Sequence, residues 1–353
     1  MKKLLLLLVL LISCIVNARI IRLQKNNDGG IYKPVHNAAP GDTILLEGKY
    51  QYINIENVFG EPGKEIVIMN KGQVVVSGYS AYCCIIIGKY FKLLGNGDPT
   101  IKYGIRFSGY ANTFTGFGLA TSNSSNYEVA FCEFTKLQAG ILQNVISQKN
   151  LIDVYLHDNY FNDLDNPQEK GRSEGFYIGN TGAVSPGKFK NCRIENNILE
   201  NLSGDGIQVC QGEFIIKGNS IVNWAKAKLE WQRNGILVGG SASAKVENNT
   251  LSGGHGVAFQ FLGGGANTFR NNVIRDVDVS GINTEDIVYI DARSPKFSID
   301  FSDNQFINVK ANRRVIFNSS QNQNTGGSSF KNNSGVSKAQ CLLNSKDKWK
   351  GKL

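Results

Sequence analysis

Seven segments of this chain align without gaps around a shared asparagine, and this repeat limits the fold more than any other feature. The segments are LIDVYLHDNYF, FKNCRIENNIL, GEFIIKGNSI, SAKVENNTL, ANTFRNNVI, FSIDFSDNQF and GSSFKNNSG, with the asparagine at Asn159, Asn197, Asn219, Asn249, Asn272, Asn304 and Asn333. An apolar residue lies three positions before each asparagine, and in six segments another lies two positions after it. A fixed column that recurs at irregular intervals of tens of residues predicts a solenoid of stacked coils.

A second column, in which a glycine precedes an apolar residue, alternates with the asparagine segments. Its members are Gly140-Ile141, Gly175-Phe176, Gly206-Ile207, Gly235-Ile236, Gly256-Val257 and Gly281-Ile282. The alternation in GFYI, GIQV and GILV fits strands with one buried face. Each coil therefore carries at least two strands, and successive coils stack as parallel strands. We predict an asparagine ladder at a sharp corner, because asparagine tolerates the left-handed conformation and its amide can hydrogen-bond along a stack.

This pattern resembles the right-handed parallel β-helix superfamily of pectate lyases, polygalacturonases and chondroitinase B. PGDTILLEGKY, followed by EPGKEIVIMNKGQVVVSG, is similar to the opening of the chondroitinase B and alginate lyase branch. The resemblance implies an all-β, single-stranded right-handed parallel β-helix over residues 19–353, with a cap over about 19–45 and a basic tail over about 338–353. We expect a short capping helix within residues 28–39, DGGIYKPVHNAA, to cover the open end of the solenoid.

The first 18 residues, MKKLLLLLVLLISCIVNA, have the features of an export signal: two lysines, an apolar run and small residues at the end. The run is too short for a transmembrane segment. We predict cleavage after Ala18 and a secreted or periplasmic protein. The residues Leu11-Ile12-Ser13-Cys14 resemble a bacterial lipobox, which would instead leave a lipoprotein anchored at Cys14.

The chain is basic, with a formal charge of +9, or +7 once Lys2 and Lys3 are removed. A basic exported protein tends to meet polyanions. Because no nucleic-acid-binding motif is present, we expect an anionic polysaccharide rather than nucleic acid as the partner, and we expect a monomer. Cys192 falls in an inward apolar column and is predicted to be a buried thiol. No CxxC pair or His/Cys spacing indicates zinc.

Four insertions flank the glycine strands and predict a binding groove over their outer face. A bare coil takes about 20 residues, and the longer gaps place insertions at 163–174, 180–190, 223–234 and 283–296. The alternation predicts a floor of Tyr177, Gln208, Leu237, Ala258 and Gln260. The predicted walls carry aromatic and cationic side chains, which suit sugar rings bearing carboxylate or sulfate: Trp224, Lys226, Lys228, Trp231, Arg233, Tyr289, Arg293 and Lys296.

The position before each strand glycine carries a polar series, which is the candidate catalytic row. Its members are Ala139, Glu174, Asp205, Asn234, His255 and Ser280. Because parallel strands lie about 4.8 Å apart, Glu174 and Asp205 should be close enough to couple their pKa values, with His255 two coils beyond Asp205. Asp and Asn are also ordinary turn residues, so a structural role for the row stays open.

Two reactions could use this row. A polysaccharide lyase needs a base to remove the proton α to a uronate carboxyl and a cation to stabilise the enolate. The candidate bases are His255, Tyr177 and Lys228, and the candidate clamps are Arg233 and Arg293. A calcium ion held by Asp163, Asp165 and Glu174 could replace the clamp. A glycoside hydrolase needs two carboxyl groups, for which Glu174 and Asp205 are the natural pair.

Two further motifs are similar to those of polygalacturonases. They are SGDGIQV and GGHGVAFQFLGGG, and the resemblance implies active-site positions for Asp205 and His255. Asn234 stands where that family has paired aspartates, and SGINTED replaces its later RIK motif. We therefore predict a lyase ahead of a hydrolase, with a non-catalytic polysaccharide-binding solenoid as the third alternative. The predicted catalytic residues are Glu174, Asp205, His255 and Arg233, and the predicted substrate-binding residues are Tyr177, Gln208, Lys228, Trp231, Gln260 and Arg293.

Overall fold

The structure is a computed structural model that describes residues 18–34, 36–78, 81–109, 115–143, 149–165, 173–180, 187–229, 231–281, 286–291, 297–319 and 327–350. Within these residues the chain is a β solenoid with one 3₁₀ turn at Lys338–Gln340. The ladders that join its strands are all parallel, and each strand pairs with the corresponding strand one coil away. No helix in the described ranges is long and apolar enough to cross a bilayer.

Three parallel sheets run along the solenoid, and we name them by their position relative to the asparagine column. The pre-ladder sheet contains Ile20–Arg22, Ser125–Ala130, Leu151–His157, Phe189–Glu195, Gly212–Lys217, Ser243–Glu247, Gly265–Arg270, Phe297–Ser302, Ser329–Lys331 and Lys348–Lys350. The post-ladder sheet contains Ile105–Ser108, Cys132–Thr135, Tyr160–Asn162, Ile198–Glu200, Ser220–Val222, Thr250–Ser252, Val273–Arg275 and Gln305–Ile307. The groove sheet contains Ile31–Tyr32, Ile53–Phe59, Thr115–Ala120, Leu137–Gln143, Glu174–Ile178, Ile207–Cys210, Ile236–Gly239, Phe259–Phe261, Val288–Ile290, Ile316–Asn318 and Cys341–Leu342.

Three long strands in the first coils bend around a corner and so belong to two sheets. Thr43–Tyr50 and Ile66–Val76 begin in the pre-ladder sheet and end in the post-ladder sheet. Tyr82–Leu94 begins in the groove sheet and ends in the pre-ladder sheet. At the other end, Lys348–Lys350 pairs with Ser329–Lys331, so this part of the basic tail is a last strand of the solenoid.

The expected capping helix is not formed in the described residues between 28 and 39. Ile31–Tyr32 is instead a short strand that pairs with Ile53 and Asn54. Ile31 N–H donates to the Tyr52 carbonyl at 2.9 Å, and the Ile31 side chain is fully buried. A strand is favoured here because it continues the backbone hydrogen bonds of the groove sheet, whereas a helix would leave that edge unpaired.

The asparagine column forms a continuous hydrogen-bonded ladder, as the repeat predicts. At each step, one asparagine donates both its backbone N–H and its side-chain Nδ2 to Oδ1 of the next, as Asn197 does to Asn219 at 3.0 Å. The same pair of bonds links every neighbour from Asn159 to Asn333. Each side chain also donates to a backbone carbonyl of the preceding coil, for example from Asn197 Nδ2 to Leu156 O. The ladder is buried, so its amides are satisfied by each other and by backbone.

The left-handed conformation lies one residue earlier than we predicted. The ladder asparagines do not have positive φ; the residue before each of them does. These residues are Asp158, Asn196, Gly218, Asn248, Asn271, Asp303 and Asn332, with φ between 50° and 68°. Their types are those that adopt positive φ at least cost. The turn is therefore made by one residue and the inter-coil bonding by the next.

The core lies between the three sheets and is filled by stacked apolar side chains. Phe134 stacks on Phe107 and Phe161, with ring centroids 5.0 and 4.7 Å apart. The apolar residues three before and two after each ladder asparagine are buried, as the alignment predicts. Cys192 is buried in the inward column between Val154 and Phe214 and carries a free thiol. Its apolar environment explains the thiol without a metal or disulfide role.

Candidate functional site

The groove sheet brings three members of the polar row side by side. Gly175 N–H donates to the Asp205 carbonyl at 3.1 Å, and Gly206 N–H donates to the Asn234 carbonyl at 2.9 Å. Glu174, Asp205 and Asn234 therefore hold one position on three successive strands, about 4.8 Å apart. Their exposed fractions are only 4%, 1% and 3%, so polar interactions between them are weakly screened by water.

His255 does not join this row, and the prediction that places it there is wrong. Gly235 N–H donates to the Val257 carbonyl at 2.8 Å, so Val257 occupies the position next to Asn234. The strand begins at Phe259, two residues later than the glycine pattern predicts. His255 lies at the preceding corner, where its N–H donates to the Trp224 carbonyl. Burial and the nearby Lys228 and Lys226 lower its pKa, and it borders neither cavity described below.

Ser280 is also outside the row. The groove strand of this coil is Val288–Ile290, which lies inside the predicted insertion 283–296 and well after Ser280. Val288 pairs with Phe259, which aligns Asp286 with Val257. Asp286 is 1% exposed and accepts hydrogen bonds from Arg313 Nη2 at 2.5 Å and Nε at 3.2 Å. This pairing satisfies the Asp286 carboxylate, which therefore acts as a structural ion pair beyond the groove.

Asp205 is a buried carboxyl group with an unusual hydrogen-bonding pattern. Its Oδ1 accepts the backbone N–H of Asn234 at 2.6 Å and the Asn234 Nδ2 at 3.0 Å. Its Oδ2 is buried and has no partner among the described residues. Burial raises the pKa of Asp205 to about 7, although the bonds from Asn234 and the charge of Arg233 act in the opposite direction. Asp205 therefore changes protonation near neutral pH.

Glu174 is held by Gln232, a residue that the sequence pattern did not single out. Gln232 Nε2 donates a short hydrogen bond to Glu174 Oε1. Gln232 belongs to the 223–234 insertion and has a positive φ of 59°, so the loop turns its side chain back towards the sheet. Its place two residues before Asn234 is the only sequence signal that could have indicated this contact.

The outer floor of the groove follows the predicted alternation for four residues. Tyr177, Gln208, Leu237 and Gln260 occupy one row on successive strands. Tyr289, predicted as a wall, continues this row beside Gln260. Burial and the nearby Glu174 raise the pKa of Tyr177. The floor is thus a line of amide, phenol and apolar groups along the solenoid axis.

Ala258, the fifth predicted floor residue, is fully buried instead of facing the groove. The register shift of the Phe259–Phe261 strand aligns Ala258 with Gly235 at the corner. Its N–H donates to the Ile287 carbonyl at 2.8 Å. Gln260 is therefore the residue of this coil that lies in the floor of the groove.

The two tryptophans of the 223–234 insertion have opposite roles. Trp224 is fully buried, and its Nε1 donates to the Val257 carbonyl at 3.2 Å, so it anchors the loop and is not a groove wall. Gly254 makes room for it, since a Cβ there would lie 2.2 Å from the indole ring. Trp231 is 65% exposed and borders the groove. An exposed indole held on a buried anchor can contact a ligand without moving the core.

Two cavities lie along the groove and share Tyr177, Trp231 and Gln232. One has a volume of about 460 Å³ and is also lined by Phe117, Gln138 and Glu174. The other has a volume of about 320 Å³ and is also lined by Asp205, Gln208, Arg233, Asn234, Leu237 and Gln260. The carboxyl pair therefore lies where the two cavities meet.

The predicted cationic walls are only partly present around these cavities. Arg233 lines the smaller cavity and is half-buried, whereas Lys228 is exposed beside His255 and lines neither. Arg293 and Lys296 lie outside the described residues, as do most of insertions 163–174 and 180–190. Among the described cavity-lining residues, the charges are Glu174, Asp205 and Arg233, so this part of the groove is not cationic.

The calcium ligands suggested by the sequence are not assembled in the described residues. No group of three His, Cys, Asp or Glu side chains there is close enough to share a metal ion. Asp163 lies at the corner after the post-ladder strand, and its Oδ2 accepts from Asn162 Nδ2 at 3.1 Å. Asp163, Asp165 and Glu174 therefore do not form a common site.

The family model and the first of the solved structures named below agree with this architecture. The family model described as "Right handed beta helix region" matches residues 174–346. An alginate lyase from a Paenibacillus species has a similar structure, with a TM-score of 0.53 and 14% identity, over 83% of this chain and 97% of that one. A pectate lyase gives a TM-score of 0.49 and 14% identity over 92% and 82% of the two chains. A lacto-N-biosidase from Eubacterium ramulus gives 0.45 and 12% over 88% and 63%.

No curated protein matches the chain by sequence. The family match, the three parallel sheets and the asparagine ladder establish the class. The fold of this chain is a right-handed parallel β-helix, and residues 174–346 match the family model of that name.

Proposed function

We propose that this protein hydrolyses glycosidic bonds of a polysaccharide in the groove, with Asp205 as the general acid and Glu174 as the second carboxyl group. The observation that carries the proposal is the buried Asp205 carboxyl, whose pKa burial raises to about 7, beside Glu174 on the neighbouring strand. Glycoside hydrolysis requires two carboxyl groups at the scissile bond, one of them protonated at the working pH.

The hydrogen bonds of Asp205 determine which oxygen carries its proton. Because Oδ1 accepts two N–H groups from Asn234, the proton of the neutral acid lies on Oδ2. This proton passes to the glycosidic oxygen as its bond to the anomeric carbon breaks, and Asp205 becomes ionised. Glu174 then either takes a proton from a water that attacks the anomeric carbon, or attacks that carbon itself to form a glycosyl ester. In the second case a water that gives its proton to Asp205 hydrolyses the ester and frees Glu174.

The shape of the groove supports a polymeric substrate. The two cavities follow each other along the solenoid axis, so a sugar chain lying along the axis would pass over Glu174 and Asp205. Trp231 borders both cavities, and its exposed indole suits stacking on a sugar ring. The fold is shared with an enzyme described as an alginate lyase, which also supports a polysaccharide as the substrate class.

β-Elimination, the reaction favoured by the sequence, is the second candidate, because the smaller cavity holds both Tyr177 and Arg233. In that reaction Tyr177 removes the proton α to a uronate carboxyl and Arg233 neutralises the carboxylate. Hydrolysis is favoured for two reasons. The raised pKa of Tyr177 makes its phenolate scarce, and His255 and Lys228, the other candidate bases, lie outside both cavities.

A panel of neutral and uronate polysaccharides tests the proposal. Hydrolysis releases reducing ends without new ultraviolet absorbance, whereas β-elimination adds the absorbance of an unsaturated uronate. We expect Asp205→Asn and Glu174→Gln each to lower kcat at least about 100-fold. Glu213→Gln makes the same change at an exposed site on the pre-ladder sheet and should keep full activity. Unsaturated products, or full activity in Asp205→Asn, would refute the proposal. Retention on a polysaccharide gel without cleavage would indicate a binding protein.

A further inference from the structure

The smaller cavity contains two side-chain amide oxygens that lack a hydrogen-bond donor among the described residues. They are Gln232 Oε1 and Asn234 Oδ1, and both are buried. Asp205 Oδ2, which carries the transferred proton in the proposed mechanism, is the third unpartnered oxygen of the same cavity. Buried polar atoms are nearly always paired in folded proteins, so this concentration of unpaired acceptors indicates a missing partner.

The orientation of both amides is fixed by their other contacts. Gln232 Nε2 donates to Glu174 Oε1, and Asn234 Nδ2 donates to Asp205 Oδ1. Turning either amide over would put its oxygen against a carboxyl oxygen and lose the donated bond. In each amide the group without a partner is therefore the oxygen, and an amide oxygen can only accept hydrogen bonds.

We infer that this cavity is a subsite for a neutral sugar, whose hydroxyl groups donate to Gln232 Oε1 and Asn234 Oδ1. The inference rests on the proposed function and specifies its substrate class. A carboxylate or sulfate group brings only acceptors at neutral pH, so it leaves unpaired each amide oxygen at which it takes the place of a hydroxyl. This subsite therefore selects against the anionic polysaccharide that the overall charge of the chain favours.

The charges around the subsite lead to the same conclusion. Arg233 is the single cation among the described residues that line this cavity, and its charge already acts on Asp205. Lys226 and Lys228 lie near His255 instead. A uronate entering here would meet the Glu174 carboxylate, which the guanidinium of Arg233 already offsets, so no further cation remains for its own carboxylate; a hydroxyl-bearing sugar brings no charge.

Access to the two oxygens requires a small movement. The side chains of Gln232 and Arg233 are half-buried and belong to the loop that carries Trp231. An outward movement of this loop exposes the amide oxygens to an arriving hydroxyl, which then pairs them. The sugar is thus recognised by hydrogen bonds that its analogue without the hydroxyl cannot make.

The decisive substrate pair is one soluble neutral polysaccharide before and after chemical oxidation of its primary hydroxyls to carboxylates. The neutral members of the panel are β-glucan, galactan and mannan, whose sugars all carry a primary hydroxyl. We expect the wild type to release reducing ends from a neutral polymer at least about 100-fold faster than from its oxidised form or from natural uronate polymers. Equal or faster cleavage of the oxidised or uronate polymers would overturn the inference, and the proposed function would survive if Asp205→Asn abolished that cleavage.

Binding separates the inference from the proposed function. Titration calorimetry of Glu174→Gln with neutral oligosaccharides should give a dissociation constant about tenfold weaker when Gln232→Met is added, since methionine removes the acceptor but keeps the length. In this background the contact of Gln232 with the Glu174 carboxylate is already altered. If no polymer is cleaved, the proposed function fails, but tighter binding of neutral than of oxidised oligosaccharides would still support the subsite.

Three binding results would overturn the subsite: no binding of any sugar, tighter binding of uronates, or an unchanged constant in Gln232→Met. Calcium is included in a parallel titration of the wild type. If calcium alone binds and makes uronate polymers substrates, a cation and not a sugar hydroxyl fills the free oxygens.

Discussion

Asn234 donates two hydrogen bonds, from its backbone N–H and its side-chain Nδ2, to the same oxygen of Asp205, at 2.6 and 3.0 Å. The contact joins two neighbouring coils at the point where the two cavities meet. It leaves Asp205 Oδ2 without a partner among the described residues. Oδ1 therefore accepts hydrogen bonds from Asn234, while Oδ2 is the oxygen that can carry the proton.

Replacing Asp205 by Asn should change stability in a pH-dependent way. Because the pKa of Asp205 is about 7 in the folded protein against 3.8 as the ordinary value, the folded state holds a proton that the unfolded chain releases. Wild-type stability therefore falls as pH rises from about 4 to about 7, by at most about 4 kcal/mol. Asp205→Asn keeps an acceptor for Asn234 and should unfold at a higher temperature than wild type at pH 8, with a smaller difference at pH 5. Equal differences at both pH values would show that Asp205 is not neutral in the folded protein.

The two tryptophans of the groove loop should respond differently to truncation. Trp224→Ala removes a fully buried side chain and should lower the free energy of unfolding by about 3–5 kcal/mol. Trp231→Ala removes an exposed one and should leave the melting temperature nearly unchanged while weakening polysaccharide binding by about tenfold or more. Thermal unfolding and calorimetry on both variants check this. A large loss of stability in Trp231→Ala would contradict its assignment as a groove residue.

The interior of the asparagine ladder should be more sensitive than its end. Asn249→Ala removes the acceptor of two Asn219 donors, the donor to the Ile216 carbonyl and one of the two bonds to Asn272 Oδ1, and each buried group left unpaired costs about 1–3 kcal/mol. Asn333 accepts the same two bonds from Asn304 but has no following ladder asparagine to donate to, so Asn333→Ala loses one bond fewer and should cost less. Urea unfolding of the two variants measures the difference. Equal losses would mean that the ladder bonds do not act as a chain.

Processing of the amino terminus should create a charged contact in the first coil. Arg19 N–H donates to Asp42 Oδ1 at 2.9 Å, and its guanidinium reaches Asp42 Oδ2 at 2.6 Å. These hydrogen bonds, the guanidinium first, hold the pKa of the 1% exposed Asp42 at about 2. Cleavage after Ala18 would turn that N–H into an ammonium. We expect protein recovered outside the cytoplasm to begin at Arg19, and Asp42→Asn to lose stability that wild type retains above about pH 4. Mass spectrometry of the mature terminus checks the first point, and a lipid-modified Cys14 would contradict it.

The stacking of coils could be predicted because it depends on spacings that are local in the sequence. Each ladder asparagine has its buried apolar neighbours at fixed distances along the chain, and strand pairing follows from them. The position of His255 could not be predicted in the same way. Val257, Phe259 and Phe261 are apolar residues at every second position. A strand that begins at Val257 therefore buries the same face as one that begins at Phe259, and the alternation does not distinguish the two.

The contacts that the loops make in the groove could not be predicted from the sequence either, for a different reason. Whether a tryptophan anchors a loop or faces a groove depends on space made elsewhere, and for Trp224 that space comes from Gly254. Gln232 reaches Glu174 across 58 residues of chain. Such contacts depend on the three-dimensional path of an irregular loop, for which no repeat provides a rule.

Successive ladder asparagines are separated by as few as 22 and as many as 38 residues, yet every step makes the same pair of hydrogen bonds. The number of residues in a coil can therefore vary, whereas the alignment of each coil with the next stays the same. A protein built this way can acquire, lengthen or exchange the walls of its groove one loop at a time while the rest of the solenoid keeps its register. Because the ladder holds the coils in register, the loops that line the groove can change without a change of fold.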